Sequence, residues 1–264
     1  MKKKNYSQLN YEQELARKER AEKKAAKAGK SELPEKEPPY GFWRCVLLPN
    51  IPSLLLNNLW FVLFSLPALF CLGAFLMVGG LIFILGLLLS MALVGPAMAS
   101  LYHRCYEYTR QVPKLVREPF MTFFRREFRQ GAACGLVLGI LWILLAFYSL
   151  VGQSQTETQP AVYYTIVFLC LFLVSYYTIT VMAQVSQFDL PTKAILKNGV
   201  ILLAACGWRG VVPALLQTAY VLIAVAWPST GLLLFFLAVP GIIFAAATHL
   251  LWPRLSQILL TSQE

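Results

Sequence analysis

The stretch GPAMASLYHRCYEYTRQVPKLVREPFMTFFRREFRQ, from Gly95 to Gln130, organises the whole chain. It begins at the end of one long apolar segment and ends at the start of another. Between them it carries seven arginine and lysine residues against three glutamates. A basic loop between two apolar spans is typical of the cytoplasmic face of a membrane protein. The stretch therefore predicts a polytopic protein with a basic cytoplasmic loop over residues 103–130.

Charge is segregated along the rest of the 264 residues as well. The chain is 58% hydrophobic and 14% charged, with a mean hydropathy of +0.59, whereas soluble domains carry about 25% charged residues. Residues 45–102 contain no Asp, Glu, Lys, Arg or His, and residues 210–253 contain only His249. A soluble core would interrupt such runs with polar faces, so the sequence predicts an all-α, polytopic membrane helix bundle.

Six transmembrane helices are predicted, over residues 51–72, 76–102, 131–151, 161–184, 213–227 and 232–252. The second is expected to tilt or break near Gly95-Pro96, a tight turn is expected over 227–231, and Pro253-Arg254 is expected to end the sixth. Residues 193–206 read either as a short amphipathic helix at the cytoplasmic interface or as part of a bent fifth span. The cluster of Gly, Arg and Pro over 207–213 favours a break between them.

The positions of Lys and Arg predict the orientation of these spans. With both termini in the cytoplasm, the inner segments 1–44, 104–130, 193–209 and 254 carry 12, 7, 3 and 1 of them, which accounts for all 23. The outer connections carry none. The sequence thus predicts a multi-pass protein of the cell membrane with cytoplasmic N- and C-termini.

Three segments follow from this reading. Residues 1–39 form a polar, charged arm and linker without the apolar core of a signal peptide, residues 40–254 form the membrane domain, and residues 255–264 form a short cytoplasmic tail. Within the arm, Tyr11–Ala28 is rich in helix formers but lacks an apolar stripe, so it is expected to be partly helical or disordered. A polybasic contact with anionic lipid or with a partner is the alternative.

Two sets of residues inside the spans are candidates for packing or for a solute path. Gly131, Gly135 and Gly139 form a GxxxGxxxG face, which favours internal packing over a contact with a second subunit, although a homo-oligomer stays open. Neutral polar side chains occur on the first and fourth spans, at Asn57, Tyr177, Thr180 and Gln184. They either line a path for a small solute or bond across helices, and the second reading is favoured because buried polar groups need partners in hydrocarbon.

The basic loop is predicted to contain a helix of its own, opened by Pro119. Its apolar arc holds four phenylalanines and its opposite arc three arginines: Phe120, Phe123, Phe124, Phe128, Arg125, Arg126 and Arg129. Such a helix suits the layer of anionic headgroups or a groove on another protein. The sequence does not separate these two partners, but both place the helix on the cytoplasmic side.

Signatures of chemistry are missing from the sequence. There is no GxxxxGK[ST], GxSxG or HExxH, and the six cysteines form no CxxC pair. The two histidines, His103 and His249, could meet in space, but a metal site built on them is expected to lack further ligands. No charged residue lies mid-span, which argues against an ion-coupled carrier. We therefore expect a protein that is not an enzyme, with no catalytic residue, cofactor or metal. Nucleic acid is not expected either, because the basic residues flank apolar spans.

Several of these motifs resemble the YesL-like family of bacterial membrane proteins. Asn58-Leu-Trp60 with Phe64-Ser-Leu-Pro67, then Gly95-Pro96-Ala97 with Leu101-Tyr102, then the aromatic and basic block 120–130, are similar to that family's pattern at this spacing. The resemblance covers Tyr40 to about Arg254. Met98 and Ser100 depart from the small residues that are usual there, and 79–94 is longer than usual.

The resemblance implies a protein that assists carbohydrate uptake through an ABC-type importer, with importer subunits as partners. A permease role is weaker, since residues 193–199 match the ATPase-coupling loop of importer permeases at one alanine and the glycine and lack its acidic residue. Two functions remain open at this point. One is a non-enzymatic accessory or interaction subunit, and the other is a facilitator or permease for a small neutral solute.

Overall fold

The fold is known from a computed structural model, which describes residues 41–110, 112, 116–153, 160–237 and 239–261. The chain divides into two units, Met1–Gly41 and Phe42–Glu264. The predicted helix Tyr11–Ala28, the linker that follows it and most of the outer turn 152–160 lie outside the described residues. Every regular element of the described part is helical.

In the described residues, nine α-helices follow a short π-helical segment, Phe42–Leu47, and a 3-10 turn, Leu48–Asn50. In chain order they are α1 (Ile51–Val78), α2 (Leu81–Thr109), α3 (Phe120–Arg126), α4 (Phe128–Gln153), α5 (Pro160–Gln187), α6 (Thr192–Ala205), α7 (Trp208–Ala226), α8 (Pro228–Phe236) and α9 (Val239–Thr261).

Five of these helices are long and apolar enough to cross a membrane: α1, α2, α4, α5 and α7. The bent pair of α8 and α9 counts as a sixth if it forms one broken span. Large apolar side chains are widely exposed on their outer faces, with Met77 at 89% and Leu89 at 72%. Contiguous apolar surface on this scale is expected where hydrocarbon replaces water. The described part of the chain is an all-helical bundle whose five or six long apolar helices are consistent with a multi-pass membrane protein.

The close contact of α2 with α4 depends on glycine. A Cβ atom added at Gly131 would lie 2.7 Å from the Cα of Pro96, and one at Gly139 would lie 2.6 Å from the Met91 side chain. The same holds at Gly135, where the added atom would lie 2.5 Å from the Met91 carbonyl oxygen. All three glycines of the predicted packing face therefore lie against α2, inside the chain.

The second span differs from its predicted form. It is one continuous helix through Pro96 and reaches Thr109, two turns beyond the expected end at residue 102. Proline lacks one backbone donor, but a packed neighbouring helix lets a membrane helix continue through it. Here that neighbour is α4, whose Gly131 lies against Pro96. The first part of the predicted loop, including His103 and Glu107, is therefore helical.

The predicted break before the fifth span is present. α6 ends at Ala205 and α7 begins at Trp208, with Gly207 between them at φ 53°, a backbone conformation that favours glycine. α6 packs along α5, whose Thr180 and Gln184 side chains bond to its backbone. A position of α6 at the membrane interface stays a prediction.

The sixth span is not the straight helix 232–252 that the sequence predicts. The chain turns at Trp227 alone, because Pro228 already starts α8, and proline suits a first helical position. Gly231 allows this tight return, since an added Cβ would lie 2.6 Å from that of Ala224. α8 and α9 then meet at 65°. α9 continues through Pro253 to Thr261, so most of the predicted tail is helical.

Candidate functional site

The ends of several helices meet at one end of the bundle, which we call the charged end. The side-chain amide of Gln130, in the first turn of α4, donates to the carbonyl of Leu190, between α5 and α6. The guanidinium of Arg110 lies 5.3 Å from the ring centroid of Trp252 in α9. These contacts join the stretch from Gly95 to Gln130 to α9 and to the connection between α5 and α6, so that stretch is folded onto the bundle.

Five ionisable side chains at this end form what we call the rim cluster: His103, Arg104, Glu107, Glu118 and Arg126. Its two carboxylates are buried, with Glu107 2% exposed and Glu118 5% exposed. A buried charge is costly unless it is paired and hydrogen-bonded. The five side chains therefore form one network in which each buried carboxylate is paired with an arginine.

Arg104 and Glu107 connect α2 to the segment before α3. Nη1 of Arg104 donates to Oε2 of Glu107 at 2.6 Å and to the carbonyl of Glu118 at 2.8 Å. The other oxygen of Glu107 accepts the backbone N–H of Glu118 at 2.8 Å. Both backbone polar groups of Glu118 are thus bonded to α2 side chains, which fixes the chain at this point.

Arg126 compensates the second buried carboxylate. Its Nη1 lies 2.9 and 2.8 Å from the two oxygens of Glu118, and its Nε lies 2.9 Å from a carboxylate oxygen of Glu127. The guanidinium also lies 4.8 Å from the ring centroid of Phe123, within the range of a cation–π contact. The last residue of α3 is therefore held to the segment that precedes the helix.

His103 lies between the two carboxylates. Its Nδ1 is 3.1 Å from the carbonyl oxygen of Ser186 in α5. Its Nε2 is 3.7 Å from a Glu107 oxygen and 3.5 Å from a Glu118 oxygen. The imidazole stacks on Phe123 with the ring centroids 4.1 Å apart. One side chain thus touches α2, α3, α5 and the connecting segment.

Arg117 extends this network to the start of α1. Its Nη1 donates to Oδ1 of Asn50 at 2.8 Å, and its guanidinium lies 4.8 Å from the ring centroid of Tyr108. The Tyr108 hydroxyl accepts a bond from Asn57 at 2.7 Å. The segment 116–118 therefore contacts both α1 and α2.

Burial is the largest influence on the pKa values of Arg117 and Glu118, in the segment before α3. It raises the pKa of Glu118 above the ordinary glutamate value, although Arg126 acts in the opposite direction. It also lowers the pKa of Arg117. The paired arginine therefore does not fully offset the loss of water around the Glu118 carboxylate, as is common for buried ion pairs.

The predicted loop helix has a different form and faces a different way. It is interrupted at Glu127, so α3 has seven residues and α4 begins at Phe128. Phe120, Phe123 and Phe124 are buried, because the ring of Phe64 on α1 stacks on Phe124 at 4.3 Å. Three of the four phenylalanines of the predicted apolar arc are thus covered by the chain itself, and Phe128 is not. At the surface are Arg125, Phe128 and Arg129.

The candidate solute-lining residues bond to two different neighbours. Asn57 bonds to Tyr108 of α2. The other three bond the backbone of α6, in that Tyr177 donates to Leu196, Thr180 to Gly199 and Gln184 to Ile195, at 3.1 to 3.4 Å. These contacts hold α5 against α6, and they agree with the favoured reading of bonds across helices.

The rim cluster was not predicted from the sequence. Its signal was present, because Arg104 and Glu107 are spaced by three and His103 and Glu107 by four, which puts them on one face of a helix. The partner on the second segment could not be paired in this way, because Glu118 lies outside any helix.

The part of the chain that the structure describes contains no group of three or more His, Cys, Asp or Glu side chains that could hold a metal ion. No family model, curated protein or solved structure matches the chain. The resemblance to YesL-like proteins, and the importer that it implies, therefore stay predictions.

Proposed function

We propose that this protein is a non-enzymatic interaction subunit of the cell membrane, with six membrane crossings and both termini in the cytoplasm. On this proposal, the charged end presents a fixed basic face to a partner. The segregation of all 23 Lys and Arg residues to the inner segments supports the orientation. The lack of catalytic signatures in the sequence supports a role in binding.

One observation carries the proposal: a short helix with exposed cations is held rigidly by buried contacts. A seven-residue helix is not stable by itself in water, and α3 is fixed by its phenylalanines and by Arg126. The exposed Arg125 and Arg129 project from this support. A surface whose position is fixed before binding loses less entropy when a partner docks.

The resemblance to YesL-like proteins suggests which partner to test first. Its implied partner is an ABC-type importer of carbohydrates, whose cytoplasmic ATPase or membrane subunits can reach this face. Anionic headgroups are the other candidate contact, and a second copy of the chain stays open. The two macromolecular partners differ from lipid in that they remain attached through gentle detergent extraction.

Co-purification tests this function directly. The tagged full chain, extracted in mild detergent, is expected to retain importer subunits. The double charge reversal R125E/R129E should release them, whereas the matched reversal K193E/K197E on α6 tests whether any basic site suffices. Recovery of the tagged protein alone, together with sugar uptake that is unchanged by R125E/R129E, would overturn the proposal.

A facilitator for a small neutral solute is the second candidate. It is favoured by two buried amide oxygens, Oδ1 of Asn58 and Oε1 of Gln184, for which the described residues supply no hydrogen-bond partner. A solute or water that reaches them would satisfy both. Vesicles containing the purified protein should then take up candidate sugars faster than empty vesicles, and equal rates would dismiss this function.

A further inference from the structure

The tautomer of His103 follows from its neighbour in α5. The carbonyl oxygen of Ser186, 3.1 Å from Nδ1, can only accept a hydrogen bond. Nδ1 therefore carries a hydrogen, an assignment that rests on the acceptor it faces. The remaining nitrogen, Nε2, is the position at which a proton can be gained or lost.

Nε2 faces two carboxylates at ion-pair distance, 3.7 Å from Glu107 and 3.5 Å from Glu118. With a neutral imidazole and two charged carboxylates, three electron-rich atoms would face each other where little water can enter. The side chain of His103 is only 13% exposed, and those of the two glutamates are 3% and 4% exposed. One proton at this position turns the repulsion into attraction.

The net charge of the ionised side chains around His103 is negative, which favours binding of that proton. Arg104 faces it from α2 and Arg126 from α3, and Phe123 stacks on its ring. Arg126 is also bonded to Glu127, so these two arginines serve three carboxylates. A further proton therefore brings this group of ion-paired side chains to neutrality. Arg117 lies next to the group, but its bonds are directed to Asn50 and to the backbone of Val112.

We propose that His103, Glu107 and Glu118 share one proton at neutral pH, and that this proton fastens the segment 116–127 to α2. The proton belongs to the three groups jointly, because sites this close titrate as a unit. Its effect on a partner rests on the proposed function, since the segment carries Arg125. The proton site itself depends only on the geometry of the rim cluster.

The direction of the pH dependence follows from linkage. The docked segment binds the proton more tightly than the undocked segment, in which the glutamates are solvated. Docking is therefore strengthened as the pH falls through the shared titration and weakened as the pH rises through it. The raised pKa of Glu118 has the same direction. The basic face would then be presented to a partner only while the cytoplasm is not alkaline.

Hydrogen exchange on the full chain in lipid nanodiscs tests the proposal. After correction for the intrinsic effect of pH on exchange, the amides of 118–126 should lose about tenfold protection between about pH 6 and pH 9. H103Q removes the shared site and should abolish this pH dependence. H249Q removes the second of the two histidines, outside the cluster, and should behave like the natural chain.

Two results would overturn the proposal. Protection of 118–126 that does not change with pH in the natural chain removes the switch, and an H103Q variant that still follows the natural profile removes His103 from it. If H103Q does not fold, side-chain ¹⁵N spectra of the natural protein decide, because a His103 tautomer with its hydrogen on Nε2 alone contradicts the site. None of these measurements involves a partner, so they stand apart from the test of the interaction subunit.

Discussion

The two oxygens of Glu118 both lie within 2.9 Å of a single nitrogen of Arg126, although these residues belong to different segments of the chain. Glu118 precedes α3 and is buried, whereas Arg126 is its last residue and is partly exposed. The pair connects the C-terminal end of α3 to the residue that precedes the helix. The backbone of Glu118 is in turn bonded to Arg104 of α2.

Substitutions of Glu118 and of Arg126 should differ in how much stability they cost. R126M leaves the buried Glu118 carboxylate without its main partner and should cost about 1–3 kcal/mol of stability. E118Q removes the buried charge and should cost less, because a neutral amide is easier to bury. The double variant should recover most of the loss of R126M. Thermal midpoints in detergent measure these differences, and two additive losses would contradict the pairing.

The pH dependence of the protein's stability should reveal the protonation of Glu118. The folded chain binds a proton at Glu118 more readily than the unfolded chain, because burial raises its pKa. The stability from this protonation is fully present below the ordinary glutamate value and is lost as the pH rises through the raised value. The natural protein should therefore lose thermal midpoint relative to E118Q across that window, and the difference should be constant above it. A difference of the opposite sign would show that the ion pair with Arg126 outweighs burial.

The aromatic stack behind α3 should carry much of its stability. Phe124 is 7% exposed and its ring lies 4.3 Å from that of Phe64. F124A removes a buried aromatic side chain and should cost about 3–5 kcal/mol. The matched control is F128A, because Phe128 is 36% exposed. Equal shifts of the thermal midpoint in the two variants would argue that α3 is not held by this stack.

Much of the fold followed from the sequence, because local patterns determine it. The uninterrupted apolar runs indicated the long helices, and Gly207 indicated the break before α7. The orientation of the phenylalanine arc did not follow, because amphipathic residues suit a headgroup layer and a protein surface equally well. Phe64 and Phe124 are 60 positions apart, and nothing local records that they stack. The pairing of Glu118 with the α2 side chains of the rim cluster was hidden for the same reason.

The glycine face of α4 gives a prediction with an internal control. G135A places a methyl group about 2.5 Å from the Met91 carbonyl oxygen, so α2 and α4 must separate. We expect a loss of more than about 1 kcal/mol, as for an overpacked core. G73A meets no atom within 4 Å and lies inside α1, so it should stabilise the protein by about 0.5–1 kcal/mol. A harmless G135A would show that the two helices are not in close contact.

The predicted orientation can be tested with the chain's own lysines. All of its Lys and Arg residues fall in the segments predicted to face the cytoplasm. A membrane-impermeant amine reagent should therefore leave the natural protein unlabelled in intact cells and label it after permeabilisation. Q155K places one lysine in the predicted outer turn and should be labelled in intact cells, whereas R125K should stay protected. Because cations are retained on the side of synthesis, labelling of the natural protein in intact cells would contradict the orientation and, with it, the cytoplasmic position of the rim cluster.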